Sequence, residues 1–239
     1  MLTALLKTMR PRQWTKKTFV FFALVFDKQL LNLVPLTRTI AGFFLFCLIS
    51  SAVYIFNDLA DIEADRQHPE KKNRPLPSGE LSQGVAWIAG IVLVALTLPL
   101  GWLLSPFFAG VLAFYFLINL AYSRWLKHVP ILDVMILAAG FVLRVHAGTT
   151  LIEVERFSPW LYVVTTLGAL YLGFGKRRSE LALLAHGAGS HRKVLEGYTL
   201  PLLDQYITIV SSMTLITYSL YTFSAENLPD NHVMMLTIP

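Results

Sequence analysis

The feature that most limits this chain is a recurring one: apolar runs of about 20 residues, the length an α-helix needs to cross the hydrocarbon core of a bilayer. They fall at 18–36, 38–56, 84–104, 106–121, 131–149, 158–174 and 201–223. In lipid the backbone must satisfy its own hydrogen bonds, so runs of this kind form helices. Charged residues are 15 % of the 239-residue chain, well below the roughly 25 % of soluble domains. The reading is an all-α polytopic membrane protein, a bundle of about seven to eight helices. The first run is weak, because Asp27 and Lys28 interrupt it, and the fourth is short. Ser105-Pro106 joins the third and fourth by a tight turn. An eighth run starts near Val233 and stops at Pro239, which reads as a C-terminally incomplete bundle. No linker divides 1–239, so one transmembrane domain is expected. The N-terminus has no cleavable signal pattern. The lone Cys47 lies inside an apolar run and reads as a small buried hydrophobe.

The basic residues set an orientation. The N-terminal arm and the loops after runs two, four and six carry every Lys and Arg except Lys28, Arg38, Arg144 and Arg156. The positive-inside rule places that side in the cytoplasm, in the cell's inner membrane. The net charge of +5 therefore reflects topology and anionic lipid or substrate, rather than nucleic acid.

On the same side, directly after the second run, comes Asn57-Asp58-Leu59-Ala60-Asp61-Ile62-Glu63-Ala64-Asp65. Asp58, Asp61 and Asp65 stand at helical spacing, so on a helix they share one face. Clustered carboxylates repel unless a cation lies between them. Mg²⁺ held by few carboxylates completes its shell with phosphates and water, which reads as a Mg²⁺–diphosphate site. The plainer reading is a solvated helix end. Lys71, Lys72 and Arg74 follow in a loop, where they would take phosphate oxygens or serve only as positive-inside charges. Tyr122 and Lys127, after the fourth run, suit a phosphate, and Trp125 reads as an interfacial anchor. Asp133 and Arg144 lie within the fifth run on one face, about 16 Å apart. Ionisable residues inside a span usually line a cavity, although Arg144 can also snorkel outward. Gly175-Lys176-Arg177-Arg178-Ser179-Glu180 follows the sixth run. It reads either as a helix end with a Lys176–Glu180 pair or as a cationic phosphate pocket, with His191, Arg192, Lys193 and Tyr198 adding weakly. Arg10-Pro11-Arg12-Gln13-Trp14 and Lys17 form an N-terminal arm that can lie along the membrane surface.

The run Asn57-Asp58-x-x-Asp61-x-x-x-Asp65 after a second helix resembles the first signature of the UbiA superfamily of intramembrane prenyltransferases. The resemblance extends over nearly the whole chain. It implies nine transmembrane helices around a cavity open to the cytoplasm and to lipid. Aromatic prenyltransferases of that superfamily carry a second acidic motif after span six, where this chain has Lys176, Arg177 and Arg178. With Arg10-Pro11-x-Gln13-Trp14 and Tyr122-Ser123-x-x-Leu126-Lys127, the pattern is similar to one branch, the phosphoribosyltransferases that act on decaprenyl phosphate. The resemblance implies an Mg²⁺-dependent transferase of cell-envelope synthesis that moves 5-phosphoribose from phosphoribosyl pyrophosphate to a polyprenyl phosphate. Asp58, Asp61 and Asp65 would hold Mg²⁺ and Asn57 would assist. Lys72, Arg74 and Lys127 would carry phosphate charge. Gln13, Lys176 and Arg177 would hold the lipid phosphate or the 5-phosphate, and Glu180 would orient Lys176 or join the metal. Lys17, Tyr122, Asp133 and Arg144 complete the substrate-binding set. The expected partners are the two substrates and the bilayer, with homo-oligomerisation open. Two alternatives stand beside this: prenyl transfer from a prenyl diphosphate to an aromatic acceptor, and a non-enzymatic membrane transporter.

Overall fold

In a computed structural model of the protein, residues 1–154, 159–185, 193–224 and 233–238 are described. The described residues form nine α-helices and no strand. These are α1 (Leu2–Met9), α2 (Phe22–Phe26), α3 (Leu33–Ala60), α4 (Ile62–Gln67), α5 (Gln83–Leu104), α6 (Pro106–Arg124), α7 (Leu132–Thr149), α8 (Pro159–Ala185) and α9 (Leu200–Ser224). Four of them, α3, α5, α6 and α7, are long and apolar enough to cross a membrane. With 27 and 25 residues, α8 and α9 match them in length, but α8 ends in the charged stretch Lys176–Glu180. The protein is a multi-pass membrane protein.

The chain forms two compact units, Met1–Arg124 with Arg144–Glu153, and Trp125–Leu143 with Val154–Pro239. In the first unit α3 packs on α5 and α6. Small residues let helices approach closely in a bundle. Gly90 of α5 sits against Phe56 of α3, where an added Cβ would come within 2.8 Å of the ring. The α5–α6 turn forms at the expected place: Ser105 accepts the Phe108 N–H, and Pro106 opens α6.

The apolar run at 18–36 is not one helix. It divides into part of a 3₁₀ segment (Pro11–Phe21), α2, a turn, and the start of α3. Lys28 takes a left-handed conformation in that turn, φ 58°. The 3₁₀ segment runs antiparallel to α3. Arg10 meets Asp58, Trp14 donates to Ser51, and the Phe21 ring lies 5.5 Å from that of Phe43. Eleven residues at the 3₁₀ rise of about 2.0 Å span about 22 Å, as do the fifteen α-helical steps from residue 43 to residue 58. The stretched geometry lets a short segment keep pace with a long helix.

In the second unit α8 and α9 pair. Val134 and Leu167 pack with Phe174, Val194, Leu195, Tyr198, Leu203 and Val210 in its core.

Candidate active site

A helix of 28 residues, α3 is about 42 Å long, more than the roughly 30 Å hydrocarbon core of a bilayer. Its charged C-terminal end therefore stands at an interface. There the helix breaks at Asp61, φ −102° and ψ 10°, and restarts as α4. The single helical face expected for residues 58 to 65 is thus a bend. The turn is nearly kept across it, since Asp61 N–H donates to Asn57 O and Asp65 N–H to Asp61 O. Asp58 and Asp65 consequently stay on one side, each 2 % exposed, while Asp61 sits half-buried at the corner.

Three cations converge on these two carboxylates. Arg74 bridges them, 3.3 Å from Asp58 and 2.7 Å from Asp65. Arg10 pairs with Asp58, and Lys71 lies 3.4 Å from Asp65. Apolar packing puts the cations there. Leu76 and Leu81, from the loop after α4, are buried in one cluster with Ile55, Ile62, Ala86 and the α1 residues Ala4 and Met9. Leu76 anchors Arg74 two residues before it, and Met9 anchors Arg10 one residue after it. Arg10 is held at φ 54°, a strained conformation for a side-chain-bearing residue. It turns the chain from α1 into the 3₁₀ segment, where Pro11 follows. Asn57 is oriented by Ser123, whose hydroxyl donates to the Asn57 amide oxygen at 2.7 Å.

No three His, Cys, Asp or Glu side chains converge at metal-binding geometry among the described residues, so there is no all-protein cage. Two hard carboxylates held within reach of one guanidinium do fit Mg²⁺, which is bound by one or two carboxylates with substrate phosphates and water. The donor set suits a metal that arrives with a diphosphate.

Lys17 and Arg144 are both buried in the first unit and both lie on the ring of Tyr115. Arg144 therefore does not snorkel to an interface. Tyr122, Lys127 and Gln13 are half-buried, while Lys72 is exposed and its neighbour Lys71 makes the carboxylate contact instead. In the second unit two cations of the pocket expected after α8, Arg177 and Arg178, stand in ion pairs. Arg177 donates to Asp133 and Glu180, at 2.6 and 2.7 Å, and Arg178 pairs with Asp204. Buried at 2 % exposure, Arg177 gives its Nε and Nη1 donors to carboxylates, since a guanidinium removed from water must be paired. Glu180 pairs with Arg177, and Lys176 is exposed. Asp133 is fully buried and also accepts from Tyr198 at 2.6 Å. His191 and Arg192 lie outside the described residues. From residue order Arg10 stands only as part of the arm, Lys71 as a loop cation for phosphate oxygens or for topology, and Tyr54, Tyr115 and Ser123 carry no assigned role. The two tyrosines sit within apolar runs, where no local pattern marks them.

The bundle, with a carboxylate pair at the interfacial end of its longest helix, defines an intramembrane transferase. Residues 18–177 match the UbiA prenyltransferase family, and the chain belongs to that family. It is 34 % identical over 235 residues to a decaprenyl-phosphate phosphoribosyltransferase of Mycolicibacterium smegmatis, covering 96 % of this chain and 73 % of that one. A decaprenyl-phosphate phosphoribosyltransferase of Corynebacterium glutamicum is 33 % identical over 223 residues, 92 % of this chain and 67 % of that one. In fold it is similar to a UbiA homologue from Archaeoglobus fulgidus whose structure holds DMAPP and Mg²⁺. That match has a TM-score of 0.77 at 22 % identity and covers 98 % of this chain and 83 % of that one.

Proposed function

We propose that this protein transfers 5-phosphoribose from phosphoribosyl pyrophosphate to a polyprenyl phosphate, with Mg²⁺, at the cytoplasmic face of the inner membrane. The observation that carries the reading is the buried Asp58–Asp65 pair knit to Arg10, Lys71 and Arg74. Carboxylates to hold a metal stand beside cations to take phosphate oxygens, at a membrane interface. The relatives named for this transfer, matched over most of the chain, support it.

Asp58 and Asp65, with Asp61 at the bend, would hold Mg²⁺, which supplies polarisation of the leaving pyrophosphate. Arg10, Arg74 and Lys71 take the remaining diphosphate charge by charge-assisted hydrogen bonds. Asn57, fixed by Ser123, orients the group beside Asp58. The sugar C1–O bond to pyrophosphate breaks, and an oxygen of the lipid phosphate forms the new bond to C1. That oxygen is already anionic, so no strong general base is required, and acceleration comes from positioning and preorganised charge. The exposed Lys176 and the half-buried Lys127, Tyr122 and Gln13 remain candidates for substrate phosphates.

The test is to incubate membranes containing the protein with Mg²⁺, labelled phosphoribosyl pyrophosphate and polyprenyl phosphate. Label is expected in the lipid fraction. Asp58→Ala is expected to lower it by roughly 100- to 1,000-fold while the protein stays folded. Product only from a prenyl diphosphate and an aromatic acid would move the protein to the other activity of the family. Ion-driven flux into proteoliposomes without any covalent lipid product would make it a transporter.

A further inference from the structure

We propose that Lys17, Tyr115 and Arg144, with Tyr54 beside them, form a second anion site that binds a phosphate monoester group of one substrate, apart from the carboxylate pair. This rests on the function proposed above and adds a place for the charge that the Asp58 end leaves unserved.

The site has a defined depth. Ser50, Tyr54 and Asp58 are four residues apart along α3 and share one face. The Tyr115 hydroxyl lies 3.4 Å from the Ser50 hydroxyl. Two turns of helix, about 12 Å, separate that level from Asp58. The distance exceeds the reach of a diphosphate held at Asp58 and Asp65, so a group bound there is a second one.

Lys17 reaches this level through the 3₁₀ geometry. With three residues per turn, Trp14, Lys17 and Val20 fall on one face. Trp14 meets Ser51, and Val20 packs so tightly on Gly148 that a Cβ there would collide with the Val20 carbonyl. Gly148 is one helical turn beyond Arg144. The same close approach therefore brings two cations to one ring. The Lys17 Nζ lies 5.5 Å and the Arg144 Cζ 5.9 Å from the centre of the Tyr115 ring. Tyr54 continues the series towards the surface, 5.8 Å from Lys17 and 4.9 Å from Arg10. Arginine, tyrosine, lysine, tyrosine and arginine thus alternate from the carboxylates inward.

The charge balance there points to an anion. Asp58, Asp65, Asp133 and Arg177 are buried, and each rests on an opposite charge. Lys17 is equally buried, at 1 % exposure. It donates to the Tyr115 hydroxyl at 3.3 Å, and no described carboxylate lies within 4.0 Å of its ammonium. Cation–π contacts are individually small against the cost of taking an ammonium out of water, and Arg144 on the same ring adds charge of the same sign. An ammonium, a guanidinium and two hydroxyls make a donor set for tetrahedral phosphate oxygens. The proposed reaction offers two such groups, the 5-phosphate of the sugar donor and the phosphate of the lipid acceptor.

The experiment measures binding of ribose 5-phosphate and of farnesyl phosphate to detergent-purified full-length protein by thermal shift. It compares wild type, Lys17→Met, Lys17→Arg, Tyr115→Phe and Asp58→Asn. One of the two ligands is expected to bind wild type and Asp58→Asn alike. It should bind Lys17→Met roughly ten- to a hundred-fold more weakly, the loss of a charged hydrogen bond, with Lys17→Arg keeping most affinity and Tyr115→Phe intermediate. Binding of ribose 5-phosphate assigns the site to the donor, and binding of farnesyl phosphate assigns it to the acceptor. Without ligand, Lys17→Met is expected to melt no lower than wild type, since a buried charge has been replaced by an apolar group of similar size. If Lys17→Met melts lower and binds both ligands as wild type does, Lys17 is structural and the proposal fails. It fails equally if neither ligand binds wild type. Undiminished Mg²⁺–pyrophosphate binding by Asp58→Asn would instead count against the carboxylate site.

Discussion

Arg74 does two jobs with one side chain. It neutralises Asp58 and Asp65, which would otherwise face each other buried and alike in charge. Arg74→Ala is expected to destabilise the protein by about 1–3 kcal/mol, read as a lower denaturation midpoint, and to cut turnover at least as severely as it cuts stability. Arg74→Lys restores charge but not the bridge, since an ammonium is a point donor and a guanidinium a fork. Recovery of stability without recovery of turnover is the expected split. Full turnover in Arg74→Ala would remove it from the site.

Tyr198 carries a pH signature. Burial, and then its hydrogen bond to Asp133, push its phenol above the usual tyrosine range. The folded state therefore holds the proton more tightly than the unfolded chain. The stability this contributes is fully present below about pH 10 and is lost as pH rises through the elevated folded value. In paired denaturation curves, the gap between wild type and Tyr198→Phe is expected to stay constant from pH 7 to about pH 10 and to narrow above that. A gap that narrows already near neutrality would contradict the assignment.

At the level of elements, the 3₁₀ segment is the unusual part, because runs beyond three or four residues are uncommon. It survives because its inward face is fastened to its neighbours, by Trp14 to Ser51 and by Val20 to Gly148. Gly148→Ala is expected to push the segment off α7 and to cost about 1–3 kcal/mol, as overpacking does. Gly84→Ala, where an added Cβ meets nothing, is the control and should be close to neutral. Equal melting of the two variants would show that the contact at Gly148 is slack. The bend at Asp61 has a comparable effect. It redirects α4 so that the following loop can fold back and seat Leu76 and Leu81 under α1, and that return brings Arg74 to the carboxylates.

For the whole molecule, the carboxylate end is already charge-balanced by Arg10, Lys71 and Arg74. A metal is therefore not required to hold the fold. Chelation with EDTA is expected to abolish transfer while leaving the melting temperature unchanged, and re-addition of Mg²⁺ should restore activity. A large drop in melting temperature on chelation would mean that the metal is structural.

Hydrophobic length and charge placement are one-dimensional properties, so the chain displays them directly. The helical bundle, its membrane setting, the Ser105-Pro106 turn and the prominence of Asp58 and Asp65 are all readable from residue order. Pairing is three-dimensional. Which cation meets which carboxylate depends on where a loop returns, and Leu76 and Met9, two apolar residues with no chemistry of their own, decide that for Arg74 and Arg10. The same holds for Arg177, a phosphate candidate by composition that Asp133 and Glu180 occupy in the fold. It holds also for Lys17, whose burial follows from a three-residue helical period that apolar runs do not reveal. Residue order set what could enter the membrane and where charge would gather at its edge; packing alone decided which charges neutralise each other, because the energy of an ion depends on its neighbours and on the water they exclude.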